Sequence, residues 1–121
     1  MKLVLAFMVF ALVSVGSASG GERFACNMKA LTTTERARYQ ELTQTLLAAV
    51  QEQSELPYGY AFRLPSASLV ADAGWVSLEH RCCPFFTCQI EQTRDEGPVW
   101  LHVTGPEGVK AFIRDEFGLR G

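Results

Sequence analysis

A period of 3.6 residues between hydrophobic positions predicts a first helix in the segment that follows Thr32. Thr32 and Glu35 have the spacing of a capping box, in which each side chain satisfies one free backbone N–H, so we expect the helix to begin there. It should run to about Gln53, because Leu56-Pro57 ends the pattern. Its apolar stripe consists of Tyr39, Leu42, Leu46 and Ala49.

A period of two residues predicts strands at 58–64, 85–92 and 99–104. Asp95-Glu96-Gly97 is typical turn chemistry between the last two, which should therefore form a hairpin. The residues expected on the buried faces are Tyr58, Tyr60, Phe62 and Leu64 in the first strand, Phe86, Cys88 and Ile90 in the second, and Val99, Leu101 and Val103 in the third.

Two further helices are expected. The second follows a cap at Ser66 or Ser68 and should end near Arg81 or Cys82, because Pro84 disfavours helical geometry at the residue before it. The third opens after 105–108, where Pro106 suits a first helical position. The predicted apolar stripes are Leu69, Ala73, Val76 and His80 in the second helix, and Val109, Phe112, Ile113 and Phe117 in the third.

The resulting order α-β-α-β-β-α predicts an α+β fold. A right-handed crossover between the first two strands and a hairpin between the last two give a three-stranded sheet of order 1-3-2. Helices over one face complete a two-layer sandwich, similar in shape to a truncated ferredoxin-like fold.

The N-terminal segment is different in character. Met1-Lys2 supplies a positive charge, positions 3–15 are almost wholly apolar, and positions 16–20 are small, which is the order of a secretory signal peptide. We therefore expect a signal peptide at 1–20, a single domain at 21–121 and export to the periplasm or the exterior. The apolar run is shorter than the roughly 20 residues of a spanning helix, so no integral span is expected after cleavage. The alternatives are an uncleaved anchor or a misplaced start codon.

Composition narrows the possible partners. The chain has 121 residues, of which 48% are hydrophobic and 20% charged, and its formal net charge is −2. These values are typical of an ordinary globular domain and give no reason to expect nucleic acid or an anionic membrane surface as a partner. They identify no protein partner. A domain of this size buries about 60–70% of its unfolded surface, so it does not depend on disulfides to fold.

Three of the four cysteines lie in the segment 79–88, and the fourth, Cys26, precedes the first helix. Cys26, Cys82 and Cys83 could supply three thiolates to a thiophilic metal ion such as zinc or copper, with His80 or Cys88 as a fourth ligand. The spacing departs from the two separated C-x₂₋₄-C pairs of usual zinc sites, and adjacent cysteines share one tetrahedral ion only with strain.

A disulfide is the structural alternative, since four cysteines in an exported chain allow three pairings. Cys26 could pair with Cys82 or Cys83, whereas a bond between Cys82 and Cys83 is sterically awkward. Cys88 lies on the predicted buried face of its strand, which favours packing in the core over ligation.

Cysteine catalysis is the weakest of the three hypotheses. Glu79, His80 and Cys83 are suitable residue types for a base-activated thiol, but neighbours at a helix end seldom reach that geometry. The C-terminal end of a helix also disfavours a thiolate. His102 is expected to be a solvent-exposed strand residue. We predict no catalytic residues and favour a protein that is not an enzyme.

Four stretches carry a resemblance to a known group: FACNMKALTTTERARYQEL, ELPYGYAFRLP, WVSLEHRCCPFFTCQIE and GPVWLHVTGPEGVKAF. Together they resemble a family of small bacterial proteins with a Glu-x-x-Cys-Cys-Pro-Phe motif, over nearly the whole chain after 1–20. The resemblance implies no activity or cofactor. Cys88 departs from it, because the family more often has an aromatic residue there. The motif positions that it implies are Cys26, Glu79, Cys82, Cys83, Pro84 and Phe85.

The leading hypothesis from the sequence is an exported thiol protein of small size. Its cluster, Cys26, Cys82 and Cys83 with His80, and with Glu79 in support, would bind a thiophilic metal ion or undergo thiol–disulfide change. The alternative is a non-catalytic structural or interaction domain with a structural disulfide.

Overall fold

The computed structural model describes residues 24–119, which contain three α-helices and four β-strands. The predicted signal peptide at 1–20 lies outside these residues. None of the helices in the described part is long and apolar enough to cross a membrane. The helices are α1 (Thr33–Ala49), α2 (Leu69–Cys82) and α3 (Val109–Phe117), and the strands are β1 (Glu52–Leu56), β2 (Gly59–Leu64), β3 (Thr87–Gln92) and β4 (Val99–Thr104).

Helix α1 begins as the capping box predicts. The Thr32 hydroxyl accepts from the Glu35 backbone N–H at 3.2 Å, and the Glu35 carboxylate accepts from the Thr32 N–H at 2.9 Å. The helix ends at Ala49, four residues before the predicted end at Gln53, because Val50 is already extended. Its buried residues are Tyr39, Leu42 and Leu46.

The sheet has four antiparallel strands in the order β1-β2-β4-β3, so the α+β class is confirmed and the three-stranded sheet is corrected. The three predicted strands keep their 1-3-2 order as β2-β4-β3. The added strand β1 is an edge strand whose residues Glu52, Gln53 and Glu55 are exposed. An edge strand with solvent at most positions shows no alternation of apolar and polar residues, which is why the pattern failed to predict it.

The predicted hairpin between β3 and β4 is present. Thr87 pairs with Thr104 and Gln92 pairs with Val99 at its two ends. The connecting turn places Asp95 and Glu96 at positive φ, 60° and 56°. Along β4 the residues Val99, Leu101 and Val103 are fully buried and alternate with half-buried ones. One face of the sheet therefore packs into the core, as expected.

The buried face of α2 is not the predicted stripe. Ala73 and His80 are exposed and Leu69 and Val76 are only half-buried. The helix instead buries a polar and aromatic set, in which Glu79 and Trp75 bond to residues of α1 and Asp72 bonds to Ser68, just before the helix. That set consists of Asp72, Trp75, Glu79 and Cys82.

Helices α1 and α2 run antiparallel and are joined by three side-chain pairs. The residues from α1 lie four apart, on one face, and meet α2 in reverse order. The surface pair is a salt bridge and the two inner pairs are hydrogen bonds, of 2.5 and 3.0 Å. In order along α1, the pairs are Glu35–Arg81, Tyr39–Glu79 and Thr43–Trp75.

Helix α3 has the predicted apolar stripe, and all four of its residues are buried: Val109, Phe112, Ile113 and Phe117. It begins at Val109, three residues after the predicted first position Pro106. Gly108 forms the N-cap with φ +92°, a conformation that favours glycine. Phe112 contacts the rings of Phe24 and Phe85, at centroid distances of 6.2 and 5.3 Å, and so joins the helix to the segments that carry the cysteines.

Candidate functional site

Cys26 and Cys83 form a disulfide that links the start of the described chain to the end of α2. Their Cα atoms are 4.6 Å apart, and 57 positions separate them in sequence. The backbone N–H of Asn27 donates to the Cys82 carbonyl at 2.7 Å, which holds the first segment against the helix end. Of the two pairings that the sequence left open for Cys26, the structure has the one with Cys83.

The position of the disulfide follows from where α2 ends. The helix ends at Cys82, as predicted from Pro84, and Cys83 takes a non-helical conformation with φ −125° and ψ 71°. Its N–H still donates to the Glu79 carbonyl at 2.7 Å. The chain therefore turns at Cys83 and directs its sulfur toward Cys26. The sulfur of Cys82 stays 3.7 Å from that of Cys83 and is a free thiol.

Glu79 lies beside this disulfide and is completely buried. Its Oε2 accepts a hydrogen bond from the Tyr39 hydroxyl at 2.5 Å, while its Oε1 is buried without a hydrogen-bond partner. Burial raises the pKa of Glu79 to about 7, the bond from Tyr39 opposes this rise, and Glu116 adds to it. A buried carboxyl with one unsatisfied oxygen costs stability unless something else pairs with it.

The side-chain atoms of Cys26, Cys83 and Glu79 converge. The two sulfurs and a carboxylate oxygen of Glu79 all lie within 4.8 Å of one another. This is the geometry of a small ligand set, assembled from a loop and a helix end. Cys83 and Glu79 are fully buried, and Cys26 is half-buried, so Cys26 is the member nearest to solvent.

The two free thiols are not activated. Burial, followed by the charge of Glu79, raises the pKa of Cys82 to about 11 and that of Cys88 to about 12. A thiol is a nucleophile as the thiolate, so both are poor nucleophiles at neutral pH. Cys83, the thiol considered for catalysis, is in the disulfide.

The remaining residues of the predicted cluster are placed as follows. Cys82 touches Cys83, but His80 is exposed and is not in the converging set. Cys88 is half-buried on β3 and packs against the core. His102 is half-buried on β4, in a shallow cleft with Gln89.

Sequence reasoning missed the role of Tyr39. It was expected only as an apolar stripe residue, whereas its hydroxyl is the hydrogen-bond donor to Glu79. Burial, followed by the charge of Glu79, raises the pKa of this hydroxyl, which therefore remains a donor. The sole available signal was a tyrosine at a position where leucine or phenylalanine would fill the same space.

A cavity of about 190 Å³ at the surface reaches Tyr39 but is not lined by Glu79. Tyr39, Gln40, Gln44 and Glu116 are among its lining residues, so the tyrosine separates Glu79 from solvent. Larger clefts, of about 550 and 620 Å³, lie near the β1–β2 turn and offer no converging cluster of this kind. The converging group of Cys26, Cys83 and Glu79 is therefore the better candidate site among the described residues.

Comparison with known proteins adds no assignment, because no family model, no curated protein and no solved structure matches the chain.

Proposed function

We propose that this is an exported thiol protein whose Cys26–Cys83 disulfide opens and closes reversibly. The observation that carries the proposal is the buried Glu79 carboxylate, which has one oxygen without a hydrogen-bond partner and brings an oxygen within 4.8 Å of both sulfurs. A disulfide that serves only as a staple needs no such neighbour, and the neighbour costs stability.

The two halves of the disulfide differ in access, which determines the chemistry of reduction. A thiolate of a partner dithiol attacks Cys26 Sγ, the half-buried sulfur, because Cys83 is completely buried. The bond between the sulfurs breaks, a mixed disulfide forms at Cys26, and Cys83 departs as a thiolate. The second thiol of the partner then attacks its own sulfur and releases Cys26. The partner loses two electrons and two protons, and Cys26 and Cys83 gain them.

The energetics allow the domain to persist in both forms. A cross-link that closes a loop of 57 positions contributes about 4 kcal/mol in the chain-entropy model. Single domains have unfolding free energies of about 5–15 kcal/mol. Cys83 belongs to the apolar core and Cys26 packs against it, but most of that core consists of other residues, including the fully buried Phe62, Leu101 and Ile113. We therefore expect the reduced protein to remain folded.

Export supports the same proposal. Disulfides persist in the periplasm and outside the cell, and the pattern at 1–20 is that of a secretory signal. In such a compartment the oxidised form is the resting state, and the reduced form requires a dithiol partner.

The second candidate function is a structural or interaction domain in which the disulfide is a permanent staple. The contacts of Phe85 with Phe24 and Phe112, at 5.1 and 5.3 Å, favour it, because they fix the chain on both sides of the bond.

Reduction under native conditions separates the two functions. The protein is equilibrated with a series of dithiol buffers, quenched with an alkylating reagent and weighed as an intact chain. We expect a reversible step of two thiols while the near-ultraviolet circular dichroism keeps its folded form. A bond that yields only when the domain unfolds identifies a staple and rejects the proposal. Cys88→Ala is the matched control, because it removes a thiol outside the cluster and should leave the midpoint unchanged.

A further inference from the structure

We propose that the reduced protein binds one divalent ion of the zinc class through the thiolates of Cys26 and Cys83 and the carboxylate of Glu79. This inference rests on the proposed opening of the disulfide, since a bonded pair of sulfurs is not available as two thiolates.

The distances suit such an ion. Tetrahedral coordination with Zn–S bonds of about 2.3 Å places two sulfurs about 3.8 Å apart. The three candidate ligand atoms already lie within 4.8 Å of one another. After reduction the sulfurs of Cys26 and Cys83 must separate by about 1.8 Å from the bonded distance. Cys26 lies in segment 24–27, outside any helix or strand, so it can make this shift while α2 keeps its place.

Glu79 supplies the independent observation that a ligand belongs here. Its Oε1 is completely buried, has no hydrogen-bond partner and lies on a side chain that reaches the sulfurs. A bound cation would remove the cost of that unsatisfied oxygen. The Tyr39 hydroxyl holds the other oxygen, Oε2, and thereby fixes the orientation of the carboxylate. Such a hydrogen bond behind a ligand is a regular feature of metal sites.

The donor set selects the class of metal. Two thiolates and one carboxylate suit a borderline ion, since zinc accepts sulfur and carboxylate oxygen together. Cu(I) favours thiolate and thioether ligands, so the carboxylate makes the site a poor one for it. Three protein ligands leave a fourth position of the ion open. Cys82 contacts Cys83 at 3.7 Å but is not a member of the converging set.

The experiment uses the full domain in its two redox forms. A phosphine reductant opens the disulfide and is removed by gel filtration without oxygen, and the thiols are counted. Zn(II) is then titrated in competition with a chromophoric chelator, and Cd(II) is added separately to record sulfur-to-metal charge-transfer absorption. We expect one ion per reduced chain and no comparable binding by the oxidised chain.

Variants identify the ligands. Cys26→Ser and Glu79→Gln should abolish stoichiometric binding, whereas Cys82→Ala and Cys88→Ala should keep one ion per chain. Tyr39→Phe should weaken binding by about 10–100-fold, the usual effect of losing a hydrogen bond behind a ligand. Circular dichroism confirms that each variant is folded. Glu79→Gln removes a buried acid and keeps the shape, so it is not expected to unfold the domain.

The outcomes separate the inference from the proposed function. If the thiol count stays at two in the folded protein, the disulfide does not open and the proposed function fails. If the count rises to four and the folded, reduced chain binds no Zn(II), only the metal inference fails. Equal binding by Glu79→Gln, loss of binding in Cys82→Ala, or binding of Cu(I) without Zn(II) would also overturn the ligand assignment.

Discussion

The two ends of α2 each bury a carboxyl group, and they do so for different reasons. Asp72 lies in the first turn with 1% of its surface exposed, and Glu79 lies in the last turn with none exposed. The two residues are seven positions apart and face the same side. Ser68 donates to Asp72 at 2.6 Å, and Tyr39 donates to Glu79 at 2.5 Å.

The helix dipole distinguishes the two positions. An acid in the first turn is stabilised by the free N–H groups there, whereas an acid in the last turn faces free carbonyls. Burial raises the pKa of both groups, and to about 7 at Glu79. Asp72 therefore has a structural explanation in its own helix. The helix gives no such explanation for the burial of Glu79. We therefore propose that Glu79 acts together with the neighbouring sulfurs of Cys26 and Cys83.

At the Glu79 end of α2, removal of the Cys26–Cys83 disulfide should have the largest effect on the unfolding free energy. Cys26→Ala combined with Cys83→Ala should lower the unfolding free energy by about 4 kcal/mol, from the entropy of the 57-position loop. Chemical denaturation at neutral pH measures this value. Cys88→Ala serves as the control for removing a cysteine. A loss no larger than that of the control would mean that the site contributes little to stability and would weaken the contrast between the two helix ends.

The next largest effect is a dependence of the unfolding free energy on pH, which should be stronger for Glu79 than for Asp72. The pKa of Glu79 rises from 4.5 to about 7 on folding, so the native state binds more protons in that interval. The contribution of Glu79 to the unfolding free energy should be fully present below pH 4.5 and should be lost as pH rises through 7. The loss should amount to about 3 kcal/mol at most. Unfolding of the oxidised protein at several pH values measures the slope.

Glu79→Gln should abolish most of this slope and be more stable than the unaltered protein at pH 8. Asp72→Asn should change the slope less, because the free N–H groups of the first turn stabilise the ionised Asp72 and so limit the rise of its pKa. Glu35 acts in a different interval, since Arg81 lowers its pKa to about 2. If Glu79→Gln kept the full slope, Glu79 would not be the titrating group.

A smaller effect is expected from the donor to Glu79. Tyr39→Phe removes the hydroxyl and keeps the ring, so Oε2 of Glu79 loses its partner and neither oxygen then has one. This should cost about 2 kcal/mol at neutral pH, as for other buried groups left unsatisfied. The comparison is made by denaturation of the oxidised protein. If Tyr39→Phe lowered the unfolding free energy less than Ser68→Ala does, the polar contact at Asp72 would be the more stabilising of the two.

The smallest effect is expected at the Asp72 end. Ser68→Ala removes a hydroxyl that lies within hydrogen-bond distance of both Asp72 and the Pro65 carbonyl, and the cost should be about 1 kcal/mol. The midpoint of disulfide reduction should remain unchanged, because Ser68 lies at the opposite end of the helix. A shifted midpoint would show that the two ends are coupled.

Much of the site could be anticipated from individual residues, although its pairing could not. Pro84 placed the end of α2 at Cys82, and the motif positions included Cys26, Glu79 and Cys83. The choice of Cys83 as the partner of Cys26 depends on the backbone leaving the helix at Cys83, which redirects one sulfur and not the other. His80 was expected to contribute a ligand, and the helical rotation instead exposes it.

The fold, too, has elements that the sequence predicted and elements that it did not. Strong alternation along β4 and the apolar stripe of α3 predicted those elements correctly, because burial on one face requires such a pattern. Strand β1 was missed, since backbone pairing with β2 holds it and its side chains are polar. The inward face of α2 was predicted wrongly, since hydrogen bonds with Tyr39 and Thr43 on α1, and with Ser68 before α2, allow its polar residues to be buried.

The sequence by itself determined the α+β class, the capping box at Thr32 and the end of α2, and it singled out Cys26, Glu79 and Cys83 among the candidate site residues. These features depend on local propensity and on one-sided burial, which leave a periodic record in the chain. Only the tertiary structure decided that Cys26 meets Cys83, that Tyr39 holds Glu79, and that one oxygen of Glu79 is left without a hydrogen-bond partner. Those contacts join residues up to 57 positions apart, and no local pattern encodes the direction in which a buried side chain finds its partner.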